Sequence, residues 1–142
     1  MILVDANLLI YAVDTDSPYH ARASAWFAGL LSGPTPVALA WLVILAFVRI
    51  TTRPGIMRRP QTPEQALGFI DEWLAQPYVS LVTPGDHHWP LLRNLLKTTG
   101  TAGNLVQDAH LAALAIEHGC TLYSTDHDFK RFPGVEHVNP LA

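Results

Sequence analysis

Short apolar runs alternate along this chain with longer segments of helical period, which is the signature of an α/β protein. Residues 1–4 form an apolar run that stops at Asp5, and Leu8, Leu9 and Ile10 follow, so a buried strand turns into a short helix. A turn around Asp14, Asp16, Ser17 and Pro18 precedes residues 19–31, where Ala23, Trp26, Phe27 and Leu30 are spaced to bury one helical face. After the breakers of 32–36, the pattern predicts a strand over 37–40 and a helix over 41–52 that ends before Pro54. Residues 54–60 read as a mobile basic loop. Pro63 then opens a helix to about residue 75 as an N1 proline, with Thr62 as its cap. A buried strand over 78–82 and a helix over 86–97, capped by Gly85 or Asp86, complete the middle of the chain, with His87 and His88 assigned to the surface.

The densest stretch is 104–132. Asn104 suits a helix N-cap, 105–118 keeps a helical period, Gly119 suits a C-cap, and 120–123 is a short buried strand. On a helical wheel Gln107, His110, Leu114, Glu117 and His118 share a mostly polar arc, and Leu105, Ala109, Ala112, Ala115 and Ile116 lie opposite. Asp108 falls on the apolar side. A carboxylate turned inward must be paired, hydrogen-bonded or metal-bound; alternatively, Asp108 in the first turn complements the helix dipole. Asp126 and Asp128 follow the strand directly. The carboxyl ends of parallel strands and the amino ends of helices share one sheet edge, so Asp108 and Asp126 are expected to meet there. Asp5 has the same address, although by itself it also suits the cap of the next helix. A glycine- and threonine-rich linker over 98–103 precedes this stretch, and a last edge strand is expected over 135–138.

Composition narrows the classes. With 142 residues, 49% of them apolar, the chain is expected to be one domain over 1–142. Its single cysteine, Cys120, cannot make an intrachain disulfide, and no basic lead-in precedes the first apolar run, so a cytoplasmic protein is expected. Residues 37–48 are apolar throughout but shorter than the roughly 17 to 25 residues that a bilayer span needs, so no membrane association is expected. A net charge of −3 does not suggest a general nucleic-acid binder, but Arg49, Arg53, Arg58 and Arg59 form a local basic cluster. Arg49 and Arg53, four apart, either hold phosphate or complement a helix C-terminus. His20 is assigned to the surface.

Asp5, Asp108, Asp126 and Asp128 gathered without matching lysines repel one another, and a cation is the natural remedy. All-oxygen ligands favour Mg²⁺ or Mn²⁺ over zinc, and no Cys or His cluster has zinc spacing. A bound hard cation activates water and neutralises charge on a phosphodiester, which points to metal-assisted hydrolysis. The chain has no GxxxxGK[ST], GxGxxG or GxSxG motif.

Met1-Ile-Leu-Val-Asp5-Ala-Asn7, the run Asn104-Leu-Val-Gln-Asp108-Ala-His-Leu-Ala-Ala, His118-Gly119, and Thr125-Asp126-His-Asp128-Phe129 with Phe132-Pro-Gly134 together resemble a PIN domain, and more narrowly the VapC-type toxins of bacterial toxin–antitoxin pairs. The resemblance covers nearly the whole chain in order. It implies an α/β/α sandwich with a central, mostly parallel sheet, and a Mg²⁺- or Mn²⁺-dependent endoribonuclease acting on structured cellular RNA. It also implies a homodimer and an antitoxin that blocks the active site. Matched position by position, Asp5, Asp108 and Asp126 take the family's metal-binding carboxylates. Asp128 is a further contributor, and Asn7 and Thr125 give polar support.

One departure stands out. The family's remaining acid is a glutamate in the helix after the second strand, where this chain has Leu-Val-Ile-Leu-Ala-Phe-Val-Arg, with Phe47 or a neighbour in its place. No acidic residue occurs between Asp16 and Glu64. Arg49 and Arg53 are the candidate RNA contacts there. The alternative reading is a catalytically weakened PIN domain that binds RNA or an antitoxin. A phosphatase with an aspartate nucleophile is disfavoured, since it wants a second aspartate where Asn7 stands.

Overall fold

The computed structural model describes residues 1–100 and 103–142. Five strands form one sheet in the order β3-β2-β1-β4-β5, and every pairing is parallel. They are β1 (Ile2–Val4), β2 (Val37–Ala40), β3 (Val79–Val82), β4 (Thr121–Tyr123) and β5 (His137–Val138). The helices are α1 (Ala6–Val13), α2 (His20–Ser32), α3 (Trp41–Thr51), α4 (Pro63–Leu74), α5 (His88–Thr99) and α6 (Val106–His118). The α/β alternation read from the pattern, and the α/β/α sandwich implied by the resemblance, are present.

Leu3, Val4, all of β2, and Leu122 at the centre of β4 are buried, as continuous apolar runs demand when helices cover both faces of a parallel sheet. Helices α1 to α4 pack in succession, α1 on α2 and α3, and α3 on α4, while α5 and α6 form a separate pair. Phe27, Phe47, Phe69 and Trp73 interlock in the first group, with Phe47 and Trp73 ring centroids 5.1 Å apart. β3 is an edge strand of mixed burial and not the buried strand its apolar run suggested.

Thr62 and Gln65 make the full capping box at the start of α4, with Pro63 at its first position. Gly119 ends α6 at φ +66°, a left-handed conformation that needs glycine. Asn104 is not a cap: a 3₁₀ turn over Gly103–Leu105 precedes α6, whose N-cap is Leu105 without a side-chain bond. Leu114 is buried, not on a polar arc, because α6 lies between the sheet and α5. The start of α5 is capped neither by Gly85 nor by Asp86. Glu117 of α6 instead accepts hydrogen bonds from the backbone N–H groups of Gly85 (2.8 Å) and His87 (2.9 Å).

The basic loop after α3 is tethered: Arg59 forks onto Asp16 at 2.7 and 3.0 Å, and Met57 is buried. Asp16, placed by the sequence in a turn, is thereby an ion-pair partner. The linker expected over 98–103 divides: Thr98 and Thr99 close α5, Gly103 opens the 3₁₀ turn, and residues 101 and 102 lie outside the described residues.

Candidate active site

Strand order turns back on itself at β1, whose neighbours on either side lead to opposite ends of the sheet. In an open parallel sheet this switch point, at the carboxyl edge, is where a crevice forms. The β1–β4 register pairs Val4 with Tyr123, so Asp5 leaves the sheet beside Ser124. The Asp5 N–H donates to the Tyr123 carbonyl at 2.9 Å, which ties the two strand ends together.

Asp5 is deeply held. Its carboxylate accepts from the Ala6 N–H (2.8 Å), the Ser124 hydroxyl (2.7 Å) and the Asn7 amide (3.3 Å). It is the N-cap of α1, as the sequence allowed, and it stands at the carboxyl edge of the sheet where the candidate site gathers. Ser124 is fully buried and acts as a hub: while donating to Asp5 it accepts from Asn7 Nδ2 (3.1 Å) and the Asp126 N–H (3.0 Å). Asn7 Oδ1 in turn receives the Thr125 N–H at 3.3 Å, so Thr125 contributes its backbone to this lattice. Asp126 caps the following 3₁₀ turn through the Asp128 N–H at 2.9 Å.

Around this frame the carboxylates converge. Asp108, Asp126 and Asp128 each present an oxygen, and all three lie within 4.8 Å of one another. Loss of solvent raises the Asp108 carboxyl to about 6, and the charges of Asp126, Asp5 and Asp128 add to the rise. Burial also raises Asp5, against the lowering effect of its Ser124 and Ala6 hydrogen bonds. Arg131 lies 3.6 Å from Asp128 on the exposed side of the cluster. The donor set suits a hard divalent cation: all oxygen, net negative, and close enough together for one ion to reach all three.

A cleft of about 220 Å³ opens beside this cluster, with Asp5 and Asp108 on one wall and Leu42, Leu45, Ala46 and Arg49 of α3 on the other. Leu42, Ala46 and Arg49 follow the helical repeat, so one α3 face looks onto the carboxylates. Phe47 does not belong to that face. Fully buried, it packs against Trp73 and Phe69, so Phe47 is not where the missing acid would project. Arg49, the single charged residue of α3, is at the rim. Arg53 lies beyond the end of α3 and does not line the cleft.

Two groups escaped the sequence reading. The role of Ser124 was signalled only by its position directly after β4. His88 was assigned to the surface, yet it is buried and its Nε2 lies 2.9 Å from Nδ1 of His110, locking α5 to α6. Burial, and then the neighbouring His88, lower the His110 pKa.

The PIN domain family matches this chain over residues 2–135. Ribonuclease VapC37 of Mycobacterium tuberculosis is 46% identical over 142 residues, covering 100% of this chain and 99% of the relative. Ribonuclease VapC33 of the same species is 39% identical over 141 residues, covering 99% of each. Among solved structures, the VapBC2 complex of Rickettsia felis bound to a promoter DNA fragment superposes with a TM-score of 0.70 at 20% identity over 98% of both chains. VapC20 of Mycobacterium tuberculosis, described as a Sarcin-Ricin loop cleaving toxin, gives 0.69 at 19% identity, covering 96% of this chain and 98% of that one.

Proposed function

The chain belongs to the PIN domain family, and from that premise we infer that it is a metal-dependent endoribonuclease, the toxin of a type II toxin–antitoxin pair. The observation that carries this reading is the convergence of Asp108, Asp126 and Asp128 beside Asp5 at the sheet switch point. Asp5, Asp108, Asp126 and Asp128 would hold Mg²⁺ or Mn²⁺. When bound, such an ion supplies an activated water and neutralises charge on the phosphodiester.

The chain's own residues do the rest. Ser124 and Asn7 fix the Asp5 carboxylate, so its lone pairs are aimed before substrate arrives. Asp108 enters from α6 with its charge raised in energy by its neighbours, which favours any cation delivered to this edge. Arg49, across the cleft, is placed to meet the non-bridging oxygens of an RNA phosphate. On the same helix Trp41 is 53% and Leu45 62% exposed, an apolar rim suited to an antitoxin segment or to a second copy of this chain. Among the described residues, no helix is long and apolar enough to cross a membrane; a cytoplasmic setting is part of this proposal.

One observation favours a second reading, a weakened PIN domain that binds RNA or its antitoxin: the cleft-facing side of α3 offers no carboxylate. Incubating total RNA with the purified protein in Mg²⁺, Mn²⁺ or EDTA, beside Asp5→Asn and Asp126→Asn, separates the two. Discrete fragments that require the ion and vanish in both folded variants support the nuclease; intact RNA in every lane moves the assignment to binding.

A further inference from the structure

A second pocket, of about 270 Å³, shares no residue with the α3 cleft and flanks Asp126 through both of its chain neighbours. Its lining is Tyr11, Tyr19, Thr125, His127, Asn139 and Leu141. Tyr11 and Tyr19 form its aromatic wall, with ring centroids 5.0 Å apart and planes tilted by 44°. The backbone that carries the two rings is held by hydrogen bonds: the Tyr11 carbonyl lies 3.0 Å from His20 Nδ1, and the Tyr19 N–H donates to Ser17 Oγ at 3.1 Å. Tyr19 is 46% exposed, leaving ring surface open to a ligand, and buried Leu141 supplies an apolar contact.

Asn139 gives the pocket its polarity. Its Oδ1 accepts the Leu141 N–H at 3.0 Å, which fixes the amide orientation and leaves the NH₂ group, with two donors, without a partner among the described residues. No lysine or arginine lines the pocket, so it is not built for a phosphate. Aromatic surface, one apolar contact and an unpartnered amide donor are the features that hold an unstacked base of single-stranded RNA. Placed against position 4 of a pyrimidine or position 6 of a purine, a donor pairs with the carbonyl of uracil or guanine, where cytosine and adenine present an amino group.

We propose that this pocket takes the nucleobase of a nucleotide adjoining the cleaved phosphate, with preference for a keto base. The proposal rests on the ribonuclease reading above, and Asp126 provides the link. Thr125 and His127 line the base pocket while Asp126, between them, turns to the carboxylate cluster. The pocket thus adjoins the carboxylate cluster through consecutive residues of one segment.

The test is fluorescence anisotropy of short labelled oligo(U) and oligo(A) on the full chain in EDTA, a readout independent of metal-loaded activity. Oligo(U) is expected to bind more tightly than oligo(A). Tyr19→Ala should weaken binding by about fivefold to a hundredfold, the range for loss of one stacked base, while Tyr19→Phe keeps it. Asn139→Asp retains an acceptor for the Leu141 N–H but replaces the donor, so the ratio of U to A binding should collapse or invert. Wild-type affinity in Tyr19→Ala, or an unchanged ratio in Asn139→Asp, overturns the pocket while metal-dependent cleavage of total RNA by the wild type leaves the nuclease reading standing. A wild type that neither binds nor cuts RNA overturns both.

Discussion

Asp108→Asn should stabilise the metal-free protein while abolishing its cleavage of RNA. In the folded chain the Asp108 carboxyl titrates at about 6, not at its ordinary 3.8, because it loses solvent and faces Asp126, Asp5 and Asp128. An acid whose folded pKa lies above its unfolded value holds its proton more tightly when folded. Its ionisation therefore costs folding free energy: nothing below the unfolded value, a growing amount up to the folded value, and a constant amount above it. The gap of about 2 units corresponds to about 3 kcal/mol at 1.36 kcal/mol per unit. Asp108 is only partly buried, and screening by water reduces this to about 1 to 1.5 kcal/mol. For a chain of this length that is a shift of about 3 to 5 °C in Tm.

Thermal unfolding of the two proteins in EDTA checks this. The variant is expected to melt higher at about pH 7.5, and the difference should shrink as pH falls through about 6 and disappear near 4. Comparing the two proteins matters because the lowered pKa of His110 acts in the opposite direction: the charged imidazole is disfavoured in the fold, so that stability is lost as pH falls. Saturating Mg²⁺ or Mn²⁺ should reverse the order by stabilising the wild type alone. A variant that melts lower in EDTA at neutral pH, or a difference independent of pH, would refute the reasoning.

Phe47→Ala empties the aromatic cluster around Trp73 and should cost about 3 to 5 kcal/mol in urea unfolding; a cost below about 1 kcal/mol would place Phe47 outside the core. Arg49→Ala should raise KM for RNA about tenfold to a hundredfold through one lost charge-assisted contact. Its Tm should hold, since the guanidinium makes no ion pair among the described residues. Leu45→Glu, on the exposed α3 rim, should leave the monomer fold intact but weaken self-association or antitoxin binding in sedimentation experiments.

Local rules written in the chain were sufficient for much of this protein. Short apolar runs and period-3.6 apolar spacing located the elements, Thr62 and Pro63 marked the start of α4, and Gly119 marked a left-handed helix end. Asp5 directly after β1 and Asp126 three residues past the end of β4 pointed to the candidate site, because in a parallel sheet a position in sequence is also a position on an edge. What local rules could not settle was anything that depends on which surfaces meet. Asn104 suits a cap by residue type, but the chain enters α6 through a 3₁₀ turn; Glu117 caps α5 from another helix, thirty residues away from His87. Leu114 and His88 are interior only because α5 covers α6, and Phe47 faces Trp73 and not the cleft because of how α3 seats on α4. The carboxylates were visible one at a time in the sequence. Their convergence to within 4.8 Å of one another, and the rise in the Asp108 pKa that comes with it, arise from long-range packing of β1, β4 and α6, whose mutual placement no single segment encodes.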